Sequence, residues 1–211
     1  MKSLVLARPS GRLLAGLAVG AILIAALGAA GLLWSASQQQ RAAAAYADVL
    51  GRLASAPGQP PPEARAAAQR ELEAALASYP SGALAGQAAY TLGNLRYGDR
   101  DYPRARAAYE VALARAGSKT IRTLAQVGVG YTWEAERNLP RAIEAYQAGL
   151  AGLKAADFQY EDLLVDLARV QEVAGRRDEA IQTYRRVLRD VPRGLRVDDV
   201  LTRLASLGAR P

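Results

Sequence analysis

Three stretches of this 211-residue chain carry one spacing of residues. Each opens with a large–small pair, and Ala follows 13 residues after the large member, Tyr 4 later and a small or β-branched residue 3 after that. The sets are Leu92, Gly93, Ala105, Tyr109 and Ala112; then Val129, Gly130, Ala142, Tyr146 and Gly149; then Leu167, Ala168, Ala180, Tyr184 and Val187. Steps of 4 and 3 put the last three members on one face of a helix. The leading pair lies far enough upstream to belong to a second helix. The copies start 37 and 38 residues apart. A fixed period of this size fits stacked helical hairpins, in which each copy buries its apolar face on its neighbours. Such stacks bind more readily than they catalyse.

Composition narrows the function. The chain has no His and no Cys, and Lys occurs only at Lys2, Lys119 and Lys154. The usual imidazole base, thiolate nucleophile, Cys/His zinc site and disulfide are therefore excluded. The chain is not expected to be an enzyme, and no cofactor or metal is expected. The net charge is +7, of which Lys2, Arg8 and Arg12 supply three, leaving +4 over the rest. Acidic and basic residues interleave, as at Arg176, Arg177, Asp178 and Glu179. A mixed surface without a basic, aromatic-studded stripe gives no reason to expect nucleic acid.

Residues 13–34, LLAGLAVGAILIAALGAAGLLW, are 22 consecutive apolar or small residues. As a helix they reach about 33 Å, enough for a hydrocarbon core of about 30 Å. The reading is a transmembrane helix. The alternative is a cleaved signal peptide, whose apolar region is usually shorter but whose small residues, here Ala29, Ala30 and Ser35 to Ser37, would admit a peptidase. The basic residues 1–12 hold that end in the cytoplasm and send the remainder outward, with Trp34 at the interface. Gly16 and Gly20 form a GxxxG pair, so a homo-oligomer is possible through this helix.

Beyond the apolar segment, Tyr46, Val49, Leu50 and Leu53 give a helical stripe near 38–55. A Pro-rich loop follows, then a helix near 63–78 with Ala68, Leu72 and Ala75 at the same 4-then-3 spacing. Further helices are expected at 83–98, 103–115, 119–137, 140–153, 158–174, 178–190 and 197–207. Asp101, Asn138 and Asp157 are the expected N-caps, Pro103 and Pro140 sit in first turns, and Gly175 marks a turn.

The stretch LGNLRYGDRDYPRARAAYEVAL resembles a tetratricopeptide repeat at Leu92, Gly93, Tyr102, Ala105, Tyr109 and Ala112. GYTWEAERNLPRAIEAYQAGL and LARVQEVAGRRDEAIQTYRRVLRDVP are similar to it, with Pro192 at the family's closing proline. Arg96 and Gln171 depart from the pattern, standing where an aromatic is usual. The hairpins match the family's 34-residue unit, and the extra residues fall between them, near Gly117 and Ala155.

The apolar segment, the helical stripes and the resemblance together give an expected all-α fold: an N-terminal transmembrane helix, then a right-handed α-solenoid of about four helical hairpins and a C-terminal capping helix. The organisation is a basic N-terminus at 1–12, the transmembrane helix at 13–34, a linker helix and degenerate first hairpin at 35–80, three repeats at 81–192 and the cap at 193–211. One span followed by outward repeats is similar in layout to the ancillary subunit of the bacterial Sec translocon.

In the family the first helix of each hairpin lines the inner curve. The resemblance therefore places Gln87, Tyr90, Asn94, Tyr97, Tyr131, Glu134, Asp162, Asp166 and Arg169 on a protein- or peptide-binding face. Capture of acidic chaperone tails, known in the family, is not expected, because Asp162 and Asp166 stand where basic residues are needed. The expected function is a single-pass scaffold on the outer face of a bacterial inner membrane, held through residues 13–34, with proteins or peptides as partners and a role in translocation or envelope assembly. A self-associating structural protein and an accessory subunit of an envelope assembly system are the alternatives.

Overall fold

The computed structural model describes residues 11–210 except 56, 57 and 59, with side chains described from residue 24 onward. Among the described residues all regular secondary structure is helical, in nine helices. They are α1 (Gly11–Ser55), α2 (Pro62–Ser78), α3 (Ala85–Gly98), α4 (Tyr102–Arg115), α5 (Lys119–Ala135), α6 (Leu139–Leu150), α7 (Tyr160–Val173), α8 (Arg177–Asp190) and α9 (Val197–Ser206). The chain divides into two compact units, Met1–Arg41 and Ala42–Pro211.

Among the described residues no helix is long and apolar enough to cross a membrane. The segment 13–34 lies only partly within that set. Its residues 13–23, with Gly16 and Gly20, fall outside the described side chains, and the basic start falls largely outside as well. Ile24, Leu27, Leu32, Leu33 and Trp34 are each at least 68% exposed.

The second unit stacks hairpins through the repeating residues. Ala105, Ala142, Ala168 and Ala180 are fully buried, and Tyr109, Tyr146 and Tyr184 are buried beside them. In the first two repeats the small member is a glycine that makes room for the ring, whereas the third repeat has Ala168 there. A Cβ on Gly93 would fall 2.4 Å from Tyr109 Cε1, and one on Gly130 would fall 2.1 Å from Tyr146 Cε1. Each tyrosine then donates a hydrogen bond from its hydroxyl to a partner on the first helix. Tyr109 donates to Asn94 Oδ1 at 2.8 Å, Tyr146 to Glu134 Oε2 at 2.9 Å and Tyr184 to Glu172 Oε2 at 3.2 Å. In the first hairpin Tyr46, Val49, Leu72 and Ala75 are buried in one cluster, and Tyr46 donates to the carbonyl of Tyr79 at 2.7 Å.

The two departures from the aromatic position bridge the hairpin by hydrogen bonds. Arg96 Nη1 donates to the carbonyl of Arg104 at 3.2 Å. Gln171, only 3% exposed, accepts from Thr183 Oγ1 at 2.8 Å. Trp133 keeps the aromatic in the middle repeat and lies under the Arg106 guanidinium, 3.4 Å from its ring centroid.

The turns inside the three hairpins share one geometry. Arg100, Arg137 and Gly175 sit eight residues after Leu92, Val129 and Leu167, each with positive φ (63°, 61° and 76°). The next residue donates back to Arg96, Trp133 and Gln171 respectively, at 2.9, 2.8 and 2.8 Å. This is the Schellman closure, for which glycine is the unstrained choice. Only the third copy has it.

Asp101 and Asn138 cap α4 and α6, accepting from the Arg104 and Arg141 amides, each at 3.3 Å. Ser118 caps α5 by accepting from the Ile121 amide at 3.2 Å. Asp157 is not the cap of α7, whose N-terminal neighbour is Gln159 in the left-handed region. Its carboxylate instead accepts from the Lys154 amide at 2.6 Å and Lys119 Nζ at 2.7 Å. These bonds fold the α6–α7 loop back onto the start of α5. They hold the Asp157 carboxyl below the usual carboxylate range.

Candidate functional site

Tyr97 ends α3, Tyr131 and Glu134 lie in the last turns of α5, and Asp166 and Arg169 lie in the middle of α7. Because consecutive first helices stack, Tyr97, Tyr131, Glu134 and Arg169 converge on one cleft of about 550 Å³, with Asp166 behind them bonded to Tyr131 and Arg169. Tyr97, Tyr131, Glu134 and Arg169 form its polar wall, and Ala135, Leu139 and Val173 add apolar side chains to the lining, with Arg137 at the α5–α6 turn. Val173 is 54% exposed there, although it is an aliphatic residue on a packed helix.

An ion-pair network fixes the polar wall. Arg169 reaches across to α5, its Nη1 donating to Glu134 Oε1 and its Nη2 to Glu134 Oε2 at 2.9 Å. The same Nη2 donates to Asp166 Oδ1 at 3.2 Å, and the Tyr131 hydroxyl donates to Asp166 Oδ2 at 2.8 Å. The paired, two-pronged guanidinium contact sets both distance and angle between α5 and α7. Rings continue the wall, Tyr97 to Tyr131 with centroids 6.4 Å apart and Tyr131 to Tyr146 at 6.0 Å.

The protonation states follow from these contacts. Burial raises the Glu134 pKa, but the Arg169 hydrogen bond and charge and the Tyr146 hydroxyl outweigh it, so its carboxyl is held below the ordinary range. Hydrogen bonding to Glu134 raises Arg169 above its ordinary value. Burial, followed by the Asp166 charge, raises Tyr131, and burial raises Tyr97. At neutral pH the wall therefore presents phenol hydroxyls, ring faces and a neutralised ion pair. Rings with adaptable polar groups suit an extended chain, gripped by its side chains and amides.

The structure brings Tyr97, Tyr131, Glu134, Asp166 and Arg169 together. The other four inner-face residues lie elsewhere. Tyr90 packs on Tyr109 with centroids 5.9 Å apart, and Asn94 accepts from the Tyr109 hydroxyl, so both serve the first repeat's packing. Gln87 is exposed at the start of α3. Asp162 faces Arg196 at 3.3 Å, toward α9. Sequence reasoning missed Arg137, Leu139 and Val173. The available signal was Val173 itself, an apolar residue six positions after Leu167, outside the buried register of α7.

No family model matches the chain, and no curated protein matches it. Solved structures do. The chain is similar to pilF of Pseudomonas aeruginosa, with 16% identity, 84% of this chain and 80% of that one covered, and a TM-score of 0.58. A TPR repeats protein from Bacteroides fragilis matches at 16% identity, covering 80% of this chain and 70% of that one, with a TM-score of 0.49. YrrB, a TPR protein with an unusual peptide-binding site, matches at 18% identity with a TM-score of 0.47, covering 62% of this chain and 62% of YrrB's own length. The chain shares the fold of pilF over most of its length. At these identities the likeness speaks for the fold alone.

Proposed function

We propose that this chain is a membrane-anchored protein–protein interaction scaffold whose tyrosine-lined cleft takes an extended segment of a partner. The observation that carries the reading is the cleft of about 550 Å³ lined from α3, α5, α6 and α7 by tyrosine rings, an ion pair and apolar side chains. A groove of this kind binds by rings and hydrogen bonds over its length, and needs no reactive group. Residues 13–34 supply the anchor, supported by 22 uncharged residues behind a basic start. In that orientation the repeats work on the outer face of a bacterial inner membrane, as in the ancillary translocon subunit that the layout resembles. The clients are proteins in translocation or components of an envelope complex. Tethering raises their effective concentration at the groove.

The test is capture from membranes in mild detergent, comparing the parent chain with a Tyr97→Ala, Tyr131→Ala double variant. A translocon or envelope protein should be recovered by the parent and reduced about tenfold by the variant, the loss of roughly 1.4 kcal/mol. Equal recovery by both would place binding outside the cleft. Recovery of no envelope protein by the parent would remove the proposed role.

A further inference from the structure

Gly86, Thr123 and Glu161 occupy one register of the three repeats, six residues before Leu92, Val129 and Leu167. In the first repeat Gly86 closes on the end of α4, since a Cβ there would fall 2.7 Å from the Arg115 carbonyl oxygen. In the third, the Glu161 carboxylate spans to the loop after α8, accepting from the Leu195 amide at 3.0 Å and from the Arg196 amide at 2.7 Å. The middle repeat does neither. A cleft of about 490 Å³ lies there, lined from the last turn of α4, the first turns of α5 and the end of α6 with its following loop. It shares no lining residue with the tyrosine cleft.

Thr123 is only 7% exposed and lines this cleft. The other buried polar side chains described are bonded, Thr132 to the Val129 carbonyl at 2.7 Å and Gln171 to Thr183 at 2.8 Å. The Thr123 hydroxyl has no partner among the described residues. No fully enclosed side-chain oxygen among them lacks one, so this hydroxyl reaches solvent, and it does so through the cleft. Buried polar groups are otherwise almost always paired, so an open one points to a missing partner. The charge beside it has one sign. Lys119 and Arg122 line the cleft and no carboxylate does. Lys119 is spent on Asp157 at 2.7 Å and on the Gly152 carbonyl at 3.1 Å. Arg122 makes no ion pair among the described residues, and its Nη2 donates only to the Ala116 carbonyl at 3.3 Å. Both cations sit in the first turns of α5, where the helix dipole is positive and an anion is favoured, and that turn holds no acidic residue. Leu113, Ala148 and Leu153 add apolar side chains to the lining.

We propose that the cleft at Thr123 is a binding site for a small aliphatic carboxylate. The ligand's carboxylate takes the role that Glu161 plays in the third repeat, here accepting from the Thr123 hydroxyl and the Arg122 guanidinium. Its aliphatic carbons lie against Leu113 and Leu153. The site is independent of the tyrosine cleft and of what that cleft binds.

The test uses a photoreactive diazirine analogue of hexanoate, irradiated with the full chain in mild detergent, and maps the labelled peptides by mass spectrometry. Label should concentrate on residues 113–126 and 148–153, which carry the cleft lining. Hexanoate should displace it, and uncharged hexanamide at the same concentration should not. Thr123→Val, which removes the hydroxyl at nearly constant shape, should weaken displacement by hexanoate about tenfold, the effect of one lost hydrogen bond to a charged group. Arg122→Gln should do the same, and because Arg122 is exposed its replacement leaves the packing alone. Thr123→Ser, which restores a hydroxyl, should behave as the parent. Label spread evenly along the chain would overturn the proposal, as would equal displacement by hexanamide. So would parent-like labelling and displacement in both Thr123→Val and Arg122→Gln.

Discussion

A single added methyl group should have opposite effects at two glycines of this chain. In a helix interior, Gly→Ala ordinarily stabilises by about 1 kcal/mol, because alanine restricts the unfolded chain and favours the helix. At Gly51 in α1 nothing lies within 4 Å of the new Cβ, so that gain should appear undiminished. At Gly130 the Cβ would fall 2.1, 2.5 and 2.8 Å from three atoms of the Tyr146 ring. That ring is fully buried, and its hydroxyl is held by Glu134 at 2.9 Å, so it has nowhere to withdraw. Overpacking of this severity costs about 3 kcal/mol, the upper end of the usual range. Subtracting the helix gain leaves a net loss of about 2 kcal/mol. For a domain of this size that lowers Tm by about 4–8 °C, while Gly51→Ala raises it by about 2–4 °C. Thermal melting followed by far-ultraviolet circular dichroism measures both. If Gly130→Ala melted at or above the parent temperature, the claim that glycine in the first two pairs exists to admit the tyrosine would fail.

Other outcomes follow from single contacts. Arg100→Gly should stabilise by roughly 1 kcal/mol, because it relieves a non-glycine residue from positive φ in a turn where the third repeat already uses Gly175; denaturant titration reads the shift in midpoint. Gly194→Ala should push on the Glu161 carboxylate and loosen α9, so limited trypsin digestion at Arg193 or Arg196 should speed up at unchanged Tm of the remaining core. Arg169→Gln should cost about 1–2 kcal/mol at neutral pH through lost charge-assisted hydrogen bonds. The Glu134 pKa is lower folded than its ordinary 4.5, so the native state binds fewer protons, and this stability is present above pH 4.5 and lost as pH falls through the folded value. The Tm gap between parent and Arg169→Gln should therefore close below that pH, and a gap constant from pH 7 to 3 would contradict the pairing.

The helices were legible because hairpin packing leaves a periodic record: Ala105, Tyr109 and Ala112 can share one face only if that stretch is helical. The caps at Asp101 and Asn138 were legible for the same local reason. Asp157 was misread because a carboxylate before a helix looks like a cap in sequence, whereas its partners, Lys119 and the Lys154 amide, are set by the loop and the previous hairpin. The left-handed turns at Arg100 and Arg137 were invisible because arginine gives no sign of positive φ; only alignment with Gly175 exposes them. The site was half legible. Helix offsets identify the residues facing inward, but not which face an open cleft and which are already engaged. Asn94 was engaged by Tyr109 and Asp162 by Arg196, contacts made 15 and 34 residues away. Arg137 and Leu139 join the cleft from beyond the end of α5, where helical periodicity no longer indicates direction.

The groove can be tested where it would act. A photoreactive benzoylphenylalanine in place of Tyr131, within the cleft, and in place of Gln147, exposed on α6, can be irradiated in intact membranes. A discrete crosslinked partner from position 131 that is absent from position 147, and suppressed by Tyr97→Ala, is the expected result. Crosslinks of equal yield from both positions, or from 147 alone, would contradict the account.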